Sequence, residues 1–215
     1  KSSQRIAVRF SSENSGITGV GISNGKNYYF SPDFIQDLKP IIEDENIKKI
    51  QYDAKSDYHL LKNNGILLGG FEYDVMLASY VKDPNRKHTL DAQGLDFINH
   101  IIAPSENTAE RLSDESYIIF RLYEYWKSHI DKKETFLLEN IEFPVTKVIA
   151  KMEHTGVSVD VNYLHELSDY ITEKLANLED LIYQLAGETF NINSPKQVAE
   201  ILFDKLELKT KKKKL

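Results

Sequence analysis

The sequence predicts an α/β domain followed by an all-helical segment. Three observations carry that expectation. The stretch Arg5-Ile6-Ala7-Val8-Arg9-Phe10-Ser11 alternates, with Ile6, Val8 and Phe10 pointing one way and Ala7, Arg9 and Ser11 the other, the period of a strand. Asn24-Gly25 closes a second apolar run and marks a tight hairpin, because both central residues of a type I′ turn need positive φ. From residue 135 to 206 the apolar residues are instead spaced by three and four, the period of helices.

The elements follow in order. After the first strand, the polar turn Glu13-Asn14-Ser15-Gly16 leads to a strand over Ile17 to Ser23 and a return strand over Lys26 to Phe30. Ser31-Pro32-Asp33 opens a helix, since Ser suits the cap and Pro the first turn, and Pro40 is expected to kink it. A short strand at Ile47 to Tyr52 precedes a helix from Lys55 to Asn64 that ends at Gly65. Phe71-Glu72-Tyr73 is followed by a helix from Asp74 through Tyr80, a short helix near Leu90 to Phe97, and a long one from about Ala109 to Ser128. Beyond these, Leu138, Ile141, Val145, Val148 and Met152 form one apolar seam, with Pro144 inside it as an expected kink. Leu164, Leu167, Ile171, Leu175, Leu178, Ile182 and Leu185 form another, capped by Asp160 and ended by Gly187. Ser194-Pro195-Lys196-Gln197 reads as a capping box. The expected division is an α/β part over residues 1 to 132 and a helical part over 133 to 215.

Bulk properties narrow the function. At 41% hydrophobic and 28% charged residues the 215-residue chain has a globular composition. A cytoplasmic, non-membrane protein is expected, because no apolar run is long enough to span a bilayer and no signal peptide is visible. There is no cysteine, hence neither a disulfide framework nor a thiolate metal site. The net charge of −6 speaks against a surface that binds nucleic acid as a whole. One local basic run remains, Lys211, Lys212, Lys213 and Lys214, either a solvated tail or a phosphate contact. The chain begins at Lys1 without Met and ends in that run, so a piece of something longer is expected. The histidines show no pair at i, i+4, which excludes a zincin-like site.

Several blocks resemble the family A bacterial DNA polymerases I. Phe190-Asn191-Ile192-Asn193-Ser194-Pro195-Lys196-Gln197, with Ile201-Leu202-Phe203 after it, resembles the start of that family's polymerase domain. Asn140-Ile141-Glu142-Phe143-Pro144, followed by Met152-Glu153 and Gly156-Val157, resembles the segment that enters it. Tyr73-Asp74-Val75-Met76-Leu77-Ala78-Ser79-Tyr80 resembles a helix of the family's 3′–5′ exonuclease domain. The resemblance implies a ribonuclease-H-like mixed sheet flanked by helices. It also implies a nuclease chemistry in which clustered carboxylates hold two divalent metals, because hard cations prefer oxygen ligands and two dications must be neutralised together.

Carried over position by position, the family's acids are incomplete here. The first motif, an Asp and a Glu two residues apart on one strand face, falls on Arg9 and Ser11. The second falls on Asp57. The third falls on Asp114, with the water-orienting Tyr replaced by Glu110. No other register rescues the first motif, since the only acid between Lys1 and Pro32 is Glu13. The expected function is therefore a piece of a DNA polymerase I whose exonuclease-like domain is structural, with Asp57 and Asp114 vestigial. No cofactor is expected for the piece; the intact polymerase would use Mg²⁺ and act on DNA and deoxynucleotides in replication and repair. Two alternatives stand beside it: an active metal-dependent exonuclease using Asp57 and Asp114, and a non-catalytic DNA-binding module. Asp53 and Asp74 are expected to be helix caps, and Trp126 with Tyr123 and Tyr125 to be packing.

Overall fold

The computed structural model describes residues 4–102 and 105–208. The chain divides into two compact units, Lys1–Gly156 and Val157–Leu215.

In the first unit, β1 (Arg5–Glu13), β2 (Gly16–Ser23), β3 (Asn27–Phe30), β4 (Lys48–Gln51) and β5 (Phe71–Asp74) form one sheet in the order β3-β2-β1-β4-β5. β1 sits in the middle, antiparallel to β2 and parallel to β4, so the sheet is mixed. Its alternation is what splits the unit into two cores. Ile6, Val8 and Phe10 pack with Val20, Ile22, Leu38, Ile42 and Leu61 on one side. That side is covered by α1 (Ile35–Glu43) and α2 (Ala54–Asn63). Ala7 packs on the other side with Ile50, Tyr73, Ile118, Ile119, Leu122 and Trp126. There the cover comes from α3 (Val75–Lys82), α4 (Leu90–Ile98) and the long α5 (Thr108–His129). Trp126 is 1% exposed, and its indole N–H donates to Gln93 Oε1 at 3.4 Å. Trp126 and Tyr123 are thus core residues, as the sequence suggested, and Tyr125 packs against them.

Both prolines expected to kink a helix lie within continuous helical stretches, and one of them follows a π turn. α1 runs on through Pro40 to Glu43, preceded by a 3₁₀ turn over Pro32–Phe34. Pro40 lies inside the helix, past its midpoint, and leaves the carbonyl four residues back without its helical donor. α6 (Lys132–Leu137) continues through a π turn at Leu138–Glu142 into α7 (Phe143–Thr155). In that widened turn the Phe143 N–H reaches Leu138 O, five residues back. The π turn sits directly before Pro144, whose missing N–H could not have continued the α-helical ladder. Leu138 and Phe143 are buried in the core that holds Tyr73 and Trp126. The first compact unit therefore runs past residue 132, where the sequence texture changes, to the cap at Gly156.

In the second unit, α8 (Val161–Ala186) starts at Asp160, whose Oδ1 accepts from Tyr163 N at 3.0 Å, and stops at Gly187 with φ 75°. Its apolar seam is exposed: Leu164, Ile171, Leu175 and Leu178 are each about half open to solvent. α9 (Pro195–Ala199) runs into a π turn over Glu200–Lys205. The capping box expected there is only half formed. Ser194 Oγ accepts from Gln197 N at 3.5 Å, but Gln197 Oε1 turns to Asn191 N at 2.7 Å. The nearby turn offers a better-placed donor than the Ser194 backbone. No helix among the described residues is long and apolar enough to cross a membrane.

Candidate functional site

The site sits where β1, the end of β4, the start of α2 and the first turns of α5 meet. β1 supplies Arg9 and Ser11 on the α5 side of the sheet. Arg9 is three-quarters buried, and its Nε donates to Glu115 Oε2 at 2.7 Å. Its guanidinium lies over the Tyr52 ring, 5.5 Å from the centroid. Burial alone would pull the Arg9 pKa down; the hydrogen bond and charge of Glu115 outweigh it, so the pKa stands above the ordinary value. The second Glu115 oxygen, Oε1, accepts from Arg111 Nε at 2.8 Å, an i, i+4 pair on α5. Both carboxylate oxygens of a nearly buried glutamate are therefore held by guanidinium groups.

Ser11 Oγ accepts from Thr18 Oγ1 at 2.9 Å across to β2. Arg9, Ser11, Thr18, Arg111, Leu112 and Glu115 line a cleft of about 520 Å³.

Asp57 is 4% exposed at the first turn of α2, and its Oδ2 accepts from Gln51 Nε2 at 2.7 Å. Burial pushes its carboxyl up to about 8; Arg9 and Gln51 pull it back, while Asp53 and Asp74 add to the rise. An unfolded Asp titrates at 3.8. As pH climbs, the unfolded chain therefore sheds this proton first. The stability drawn from Asp57 is complete below about pH 4 and is lost as pH rises through about 8. Asp57→Asn keeps an acceptor for Gln51 but cannot ionise, so its stability relative to the unchanged chain should climb between pH 5 and pH 8. Urea melts at the two pH values measure this; a difference independent of pH would contradict the assignment.

Asp114 and Glu110 stand apart from this cluster. His100 Nε2 lies 2.7 Å from Asp114 Oδ1, and Ser105 Oγ donates to Glu110 Oε2 at 2.9 Å on the exposed end of α5. The residue that meets Arg9 is Glu115, one place along from the position the third motif suggested. A sequence signal for it did exist. Leu112, Glu115, Ser116, Ile119, Leu122, Tyr123 and Trp126 share the buried stripe of α5, whereas position 114 lies off it. Asp53 and Asp74 are caps. Asp53 Oδ1 accepts from Ser56 N at 3.3 Å, and buried Asp74 accepts from Met76 N at 2.8 Å and Ala54 N at 2.7 Å. Among the described residues, no group of three or more His, Cys, Asp or Glu side chains converges as a metal centre. Lys211, Lys212, Lys213 and Lys214 lie outside the described residues.

Comparison with known proteins gives this arrangement its context. Residues 8–97 match the family described as DNA polymerase I, ribonuclease H-like domain, and residues 161–215 match DNA polymerase family A. DNA polymerase I of Bacillus subtilis (strain 168) is 33% identical over 218 residues, which cover 92% of this chain and 25% of that protein. The chain belongs to the bacterial family A DNA polymerases I. DNA polymerase I of Caldicellulosiruptor bescii is 39% identical over 189 residues, 84% of this chain and 22% of that protein. The chain spans about a quarter of the length of these curated relatives. A solved structure described as the POL domain of Pol1 from M. smegmatis, in complex with DNA primer-template and dNTP, superposes with a TM-score of 0.83. It is 24% identical and covers 97% of this chain and 38% of that one, a likeness that speaks for the fold. The ribonuclease-H-like sheet expected from the sequence is thus the family's own, and family A polymerases depend on divalent metals for synthesis.

Proposed function

We propose that this chain is the 3′–5′ exonuclease-like domain (residues 1–132) and the helical beginning of the polymerase region (residues 133–215) of a DNA polymerase I, with the exonuclease-like domain catalytically silent. The observation that carries the reading is Arg9. A guanidinium stands on the central strand where a nuclease needs an acid, and it is bonded to the acid of α5 at 2.7 Å. Asp57 supports the same reading, since its partner is Gln51 rather than another carboxylate. Asp114 has His100 as its partner, its Oδ1 2.7 Å from His100 Nε2, and not Asp57. The domain's role is then structural support for a polymerase. The whole protein would extend DNA with deoxynucleotides and Mg²⁺ in replication and repair, in the cytoplasm.

The test is hydrolysis of 3′-labelled single-stranded DNA in the presence of Mg²⁺ or Mn²⁺. No release of terminal nucleotide is expected from the chain, and none from Asp57→Ala. Hydrolysis that Asp57→Ala abolishes would overturn the reading.

A further inference from the structure

The carboxylates present do not fit the pair of divalent cations on which the family's nuclease chemistry depends. One acid position of β1 is Arg9 and the other is Ser11, bonded to Thr18. Both oxygens of Glu115 are already occupied, by Arg9 and Arg111. We infer that Arg9 is a built-in substitute for the missing cation, a fixed positive charge on β1 that neutralises Glu115 and fastens α5 to the sheet, so that the domain keeps its shape without metal. This rests on the reading of the domain as catalytically silent and extends it to how the silent site is held together.

Three further observations support the inference. First, the site is electrostatically closed. A nearly buried carboxylate is destabilising unless it is paired and hydrogen-bonded, and Arg9 supplies both with the planar donor geometry that suits a carboxylate. Second, Arg9 is braced. The ring of Tyr52 lies under its guanidinium at 5.5 Å, which fixes the direction in which the charge points. Third, α5 lies unusually close to the sheet at this point. Arg9 pairs in register with Gly21 on β2. A Cβ added at Gly21 would stand 2.2 Å from Leu112 O, so the α5 backbone rests directly on that strand. Leu112 precedes Glu115 by a single helical turn, and the close approach brings Glu115 within direct hydrogen-bond reach of Arg9 instead of leaving room for an ion between them.

Thermal melts of the whole 215-residue chain test this. Arg9→Met keeps an unbranched apolar stem and removes the charge; the melting temperature should fall by about 5–10 °C, from the cost of leaving a nearly buried carboxylate with only the exposed Arg111 as counter-charge. Adding Glu115→Gln to that variant removes the stranded charge and should recover more than half of the fall, the non-additivity of a coupled pair. If Arg9→Met does not fold while the double variant does, the inference is supported in stronger form. A double variant no more stable than Arg9→Met overturns it. So does a rise of more than about 2 °C in the unchanged chain on adding 10 mM MgCl₂ or 1 mM MnCl₂, because bound metal would then be part of the native state. The outcome is separate from that of the nuclease test. Hydrolysis dependent on Asp57 would end the functional reading, whereas a flat cycle without hydrolysis would end only this inference.

Discussion

Gly21→Ala should lower the melting temperature by about 5–10 °C, an effect out of proportion to one methyl group. The new Cβ would lie 2.2 Å from Leu112 O and 2.7 Å from Leu112 C, and both are backbone atoms that no rotamer change can move. α5 must therefore withdraw as a body. Its withdrawal would pull Ile119, Leu122 and Trp126 away from Ala7 and Ile50, and Glu115 away from Arg9. Overpacking of this kind costs on the order of 1–3 kcal/mol, and the lost ion pair adds to it. A thermal melt at neutral pH is the measurement. A Gly21→Ala chain as stable as the original would mean that α5 does not rest on β2 as closely as described.

Asp74→Ala should be nearly as damaging for a different reason. The Asp74 side chain is 1% exposed and joins two helix starts. Oδ1 accepts from Met76 N at 2.8 Å at the head of α3, and Oδ2 from Ala54 N at 2.7 Å at the head of α2. Removing the carboxylate strands buried donors on both helices at once, and each unsatisfied buried group costs about 1–3 kcal/mol. A loss of about 3 kcal/mol is expected in urea unfolding, against less than half of that for Asp74→Asn, which keeps one acceptor. Equal losses for the two variants would show that the carboxylate matters for its charge and not for its two-sided hydrogen bonding.

Much of the fold was legible because its signals are local. The alternation of β1 named its two faces: Ile6, Val8 and Phe10 enter one core and Ala7 the other, while Arg9 and Ser11 line a cleft. Asp160 and Gly187 announced a helix start and a helix end through the capping chemistry of single residues. Asn24-Gly25 marked the turn between β2 and β3 but not its type: Gly25 has φ 97° while Asn24 does not take positive φ, and the pair of adjacent positive-φ residues lies instead at Asn14 and Ser15, between β1 and β2. The family blocks around Tyr73 and Asn191 led to the right family. What local chemistry does not encode is how near two distant elements come. The pairing of Arg9 with Glu115 spans 106 positions, and the third motif suggested the neighbouring Asp114. The buried stripe through Leu112 and Ile119 would have favoured position 115, but a stripe shows what is buried and not what it meets. The prolines show the same limit. Pro40 and Pro144 each remove one donor; α1 continues past Pro40 to Glu43, and the helix before Pro144 widens into a π turn, an irregularity at the place where the sequence expected a kink.

The arginine on β1 also governs how this lineage could change. Restoring an acid at position 9 alone would set it against Glu115, deprived of its main counter-charge, with Asp57 close by. That single step passes through a destabilised protein before any cation has a complete set of ligands. An acid at position 9 would therefore be tolerated only together with a compensating change at position 115.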